Sequence, residues 1–119
     1  MTSLTDLLFV ISLAFLVAHE LDAIQQHEWR FFPILNRLDD TSAYRVFTAA
    51  HVPLLGLILW SLPVRSFQVG FDLFLIGHAL LHFVLRHQPR LTFNDSFSRL
   101  WIFGVVPISV AHLVLASPR

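Results

Sequence analysis

Leu4–Arg30 reads LTDLLFVISLAFLVAHELDAIQQHEWR, an apolar run that ends in a dense polar tail. Leu4 to Ile24 is long enough to cross roughly 30 Å of hydrocarbon as a helix, although its uninterrupted apolar core, Leu7 to Ala18, is short. No basic segment precedes the run, and Phe15 to Glu20 offers no small-residue cleavage site, so it reads as a retained span rather than a signal peptide. His19, Glu20 and Asp22 then fall inside the span, where an ionisable side chain is costly unless it is paired, hydrated or bound to a cation.

The rest of the 119-residue chain repeats this pattern. Spans are expected at 43–62, 67–85 and 97–116 besides 4–24, with an interfacial segment at 25–40 broken at Pro33. Hydrophobic residues make up 55% and charged residues 13%, with a mean hydropathy of +0.67, against roughly 25% charge in a soluble domain. The expected fold is an all-α, single-domain, integral membrane four-helix antiparallel bundle, its neighbours joined by short loops at Pro63–Ser66 and Arg86–Ser96. A bend is expected in the fourth span at Gly104 and Pro107.

Charge sets the orientation. Arg30, Arg37, Arg45, Arg86, Arg90 and Arg99 lie in or beside the first and third connections, against Arg65 and Arg119 on the other side. The first and third loops are therefore expected in the cytoplasm, with both termini outside a bacterial inner membrane. Trp29, Trp60 and Trp101 fall near span ends, where indole favours the interface. The formal net charge of zero gives no footprint for nucleic acid, so the expected partners are the lipid bilayer and a homo-oligomer or larger membrane complex.

Composition also restricts the chemistry. All eight cationic side chains are arginine, which excludes lysine nucleophiles and Schiff bases, and the absence of cysteine excludes thiolate ligands. A metal must therefore be held by imidazole and carboxylate. His19, His51, His78 and His82 each lie within roughly 6 to 12 Å of the same predicted side, at about 1.5 Å per helical residue. His78 and His82, four apart, share one helix face and can reach one ion.

The candidate metal ligands are accordingly His19, His51, His78 and His82, with Glu20 and Asp22 as carboxylate ligand or general base and zinc or iron as the cofactor. Tyr44, Thr48 and His51 form one polar stripe, and Pro53 should free the Ala49 carbonyl beside it. Gly77 and the Ala14/Ala18 pair invite close backbone approach at this depth. His27, Glu28 and Arg30 read as a solvated interfacial turn. Asp72 and His112 read as a separate structural pair.

The run HELDAIQQHEWRFFP from His19 to Pro33, AHVPL from Ala50 and HALLH from His78 together resemble small bacterial four-helix membrane proteins grouped as a domain of unknown function. The resemblance spans nearly the whole chain. It implies that His19, Glu20, Asp22, Glu28, Trp29, Arg30, His51, His78 and His82 belong to the family signature, and it implies no substrate. A His-x-x-Glu-Glu motif known from other membrane proteins is not matched after His19. The His78–His82 box is similar to one box of the membrane di-iron desaturases, but the chain has too few histidines for that family.

These residues support a membrane metal site, acting in metal-assisted hydrolysis or, with iron, in oxidation of a lipid-soluble substrate. Whether it is an enzyme stays open at this point. The alternatives are a haem- or pigment-binding accessory subunit with axial histidines such as His51 and His82, a proton or ion relay towards Asp72 and His112, and a purely structural subunit.

Overall fold

The structure, a computed structural model, describes residues 3–89 and 95–116, and it is helical throughout with no strand among them. Four stretches are long and apolar enough to cross a membrane. The first, α1 (Leu4–Gln25), starts at a capping box: the Ser3 hydroxyl accepts from the Asp6 N–H at 3.1 Å, while the Asp6 carboxylate accepts from the Ser3 N–H and hydroxyl. Its inward stripe is Phe9, Ser12, Leu16, His19 and Ala23, alternating steps of three and four that hold one helix face towards the core.

The chain leaves α1 through His27, which has a left-handed backbone (φ 54°), and continues in two 3-10 turns, Glu28–Phe31 and Leu35–Arg37, either side of Pro33. Trp29 is buried here rather than lying at the surface, and its indole N–H donates to Asp40 Oδ1 at 3.2 Å. Arg30 forks onto the same carboxylate through Nε and Nη2. This contact fastens the turns to the first residue of the next helix.

Helix α2 (Asp40–Ser61) is followed after a three-residue turn by α3 (Arg65–Val84). The last stretch is two helices, α4 (Ser96–Phe103) and α5 (Val105–Ala116), with the break at Gly104, one of the two positions where a bend was expected. A Cβ on Gly104 would meet the Leu100 carbonyl oxygen and lie 3.0 Å from Phe15 Cε1, so glycine is what lets α1 seat against the break. Helices α2, α3 and α4 begin one to three residues before the hydropathic spans. Their first turns are polar, and the ends of α2 and α4 are set instead by Asp39 and Asp95 accepting from the N–H groups of Ser42 and Ser98. Arg90 and Asn94 of the third connection, and Arg119, lie outside the described residues.

Helices α1, α3 and the α4–α5 pair pack on one another, whereas α2 meets the rest mainly through the 3-10 turns. Only Ala43, Phe47 and Ile58 of α2 are buried. Two apolar clusters form the core, one around Phe9, Phe71 and Leu75, the other around Trp29, Phe47 and Ile102. Side chains such as Leu57, Trp60, Leu73 and Val114 point outward, leaving an apolar exterior that suits lipid better than water. Gly77 departs from the expected close approach: a Cβ there would meet nothing within 4 Å, because Gly77 faces away from the bundle.

Candidate metal centre

The inward stripes of α1 and α3 bring imidazoles together. His19 comes from α1, and His78 and His82 from one face of α3, with ring centroids 4.8 Å (His19–His78), 5.5 Å (His19–His82) and 4.5 Å (His78–His82) apart. The Nε2 atoms of His78 and His82 are 3.2 Å apart. The fourth member is Glu28, whose Oε1 lies 3.9 Å from His19 Nε2 and whose side chain is only 11% exposed.

One ligand atom from each of His19, Glu28, His78 and His82 lies within 4.8 Å of all the others. A tetrahedral ion with bonds of about 2.0–2.1 Å has ligand atoms about 3.4 Å apart, so slight side-chain closure would complete the shell. Burial, with Glu20 nearby, pushes the Glu28 carboxyl up to about 7, and a divalent cation beside it would offset that penalty.

Glu28 was expected on a solvated turn, and sequence spacing could not have found it. Nine residues on a continuous helix carry a side chain about 180° round and about 13.5 Å along from His19. Only the chain reversal at His27 returns it beneath the imidazole.

His51 does not join the four. Its Nε2 lies 2.6 Å from Glu20 Oε2 and its Nδ1 lies 2.6 Å from the Phe47 carbonyl oxygen. A carbonyl only accepts, so Nδ1 carries hydrogen and donates to it. One further proton must then sit on the Nε2–Oε2 hydrogen bond, held by imidazolium or by carboxylic acid. The ring uses the Phe47 carbonyl and not that of Ala49, so the acceptor expected from Pro53 is not what holds it. Asp22 is buried in the same end of α1 without entering the four-residue group. Tyr44 packs its ring against Trp29 instead of extending the stripe to His51.

Beside these groups is a cavity of about 440 Å³ between α2, α3 and the 3-10 turns. Glu20, Glu28, His51, His78 and His82 supply its polar lining, and Phe32, Phe47, Leu54, Phe74 and Leu81 are among its apolar walls. Towards the other end of the bundle, His112 Nδ1 and Asp72 Oδ2 are hydrogen-bonded and both side chains are 0% exposed, the pairing that the sequence led us to expect.

No curated protein and no solved structure gives a significant match to the chain. The model of a family of unknown function, DUF6713, matches residues 5–119, and the chain belongs to that family.

Proposed function

We propose that the chain is an integral membrane protein of four antiparallel spans that binds one divalent metal ion, zinc or iron, through His19, His78, His82 and Glu28. The observation that carries this reading is the mutual approach of those four ligand atoms beside a cavity. Imidazole and carboxylate suit either metal. The arginine asymmetry supports a cytoplasmic position for this end of the bundle in a bacterial inner membrane.

Four protein ligands would fill a tetrahedral shell, so water or a substrate oxygen would be admitted only if the shell expanded to five or one of the four gave way. Metal-assisted hydrolysis, or oxidation with iron, of a lipid-soluble substrate is the reaction class we assign. The metal would polarise the bound oxygen. Glu20, the general base expected from the sequence, borders the same cavity; its hydrogen bond to His51 already holds a proton, so the pair would first give that proton to a leaving group and only then be free to take one.

The crowding of the three imidazoles favours a single small cation over haem, because ring centroids 4.5–5.5 Å apart leave no room for a macrocycle between them. Elemental analysis and an optical spectrum of detergent-purified protein provide the test. We expect about one zinc or iron per chain, lost in His78→Ala/His82→Ala and in Glu28→Ala but retained in His51→Ala. Equal, substoichiometric metal in all four proteins would overturn the proposal, and a Soret band would replace it with haem.

A further inference from the structure

We infer that the cavity between α2 and α3 takes a single-chain amphiphile with a neutral oxygen head, such as a long-chain alcohol or aldehyde, drawn sideways from the bilayer. The inference rests on the cavity and deepens the metal-centre reading by naming a ligand class for that site, without assigning it the hydrolysis, since an alcohol or aldehyde offers no bond to hydrolyse.

Three observations lead to it. The cavity is divided by chemistry, with imidazoles and carboxylates on one part of its wall and aromatic and aliphatic side chains over the rest. It is bordered by outward-facing residues: Val46, Leu54, Phe74 and Leu81 line it and are also exposed, on helices whose exteriors are apolar. An opening there meets hydrocarbon, not water. Helix α2 is the least buried of the four, so the gap beside it is not closed by helix packing.

Size and charge narrow the ligand. At roughly 30 Å³ per water-sized group, the cavity holds about fifteen such groups, the scale of a single alkyl chain. A helix, about 10 Å across, would cover the opening without filling the space behind it. The polar lining contains Glu20 and Glu28 and no arginine, so without a metal an anionic head finds no free cation to pair with, whereas a hydroxyl can hydrogen-bond to either carboxyl group and a hydroxyl or carbonyl can approach the metal position.

The test is photolabelling of the full chain in phosphatidylcholine nanodiscs with diazirine-bearing hexadecanol, hexadecanoic acid or phosphatidylcholine. Metal content is measured on the same samples. We expect saturable hexadecanol labelling of peptides around Leu54, Phe74 and Leu81, roughly tenfold above that by the phospholipid and, in metal-depleted protein, above that by the acid, the ratio given by about 1.4 kcal/mol. Ala50→Trp, which places a ring in the cavity, should abolish it, as should Leu54→Trp if the first variant does not fold. Leu57→Trp, outside the cavity lining, should leave it unchanged.

Non-saturable labelling that is equal at Val114 and Leu115 would overturn the inference. So would labelling that survives both cavity-filling variants. Saturable labelling in metal-free protein upholds the cavity reading and sinks the metal reading. Bound metal without labelling does the reverse.

Discussion

The two polar groups of this bundle contrast in what surrounds them. Asp72 and His112 hydrogen-bond to one another through Oδ2 and Nδ1 in a sealed setting, 0% exposed, with the Phe9 ring 5.4 Å from the imidazole. His19, Glu28, His78 and His82 point ligand atoms at a common volume and adjoin a 440 Å³ cavity. Both cost desolvation, and the second borders space that a ligand could enter. Burial of polar residues in a span is therefore a weak guide to function until the neighbouring space is known.

The strongest way to break this contrast is at the sealed pair. Asp72→Leu alone, leaving His112 buried without its carboxylate, should cost about 3–5 kcal/mol, while Asp72→Leu/His112→Leu should recover most of that. Thermal unfolding in detergent measures both, and metal content should not change in either. Metal loss in the double variant would show that the two groups are coupled.

At the open group, Glu28→Gln should weaken metal affinity by at least the roughly 10–100-fold seen for lost supporting contacts, with little change in the melting temperature of metal-free protein. Competition with a chelator reads this directly. An unchanged affinity would return Glu28 to the role of interfacial residue and leave the three histidines alone.

Smaller effects separate packing from site chemistry. Gly104→Ala should destabilise by about 1–3 kcal/mol, because its methyl group runs into Leu100 and Phe15. Gly77→Ala, next to a proposed ligand yet facing open space, should be neutral or stabilising by about 0.5–1 kcal/mol with metal stoichiometry intact. Unfolding curves of the two variants side by side decide whether proximity in sequence or contact in space governs the outcome.

Much of this was legible in the residues. Four apolar stretches announced four membrane-length helices, and the four-residue spacing of His78 and His82 announced a shared face. Asp72 and His112 could be paired from their similar depth. Helix ends were less legible, because capping by Asp39 and Asp95 is a local hydrogen-bond matter that hydropathy does not register. Glu28 and His51 exchanged their expected places for a geometric reason. A left-handed residue folds one back under His19, and the separation of α2 from the main bundle leaves the other facing Glu20. Neither a chain reversal at one residue nor the spacing between helices has a periodicity to read.

The chain reversal at His27 also has a topological consequence. Glu28 precedes α2 and His78 lies well inside α3, so an ion bound by all four would close a loop whose arc is α2 together with most of α3. Closing such a loop removes entropy from the unfolded chain while fixing none of the arc's own packing. Helix α2 is joined to that clasp at its first residue, through Trp29 and Arg30 on Asp40, and again at His51 on Glu20, so strain in α2 would be felt at the ion.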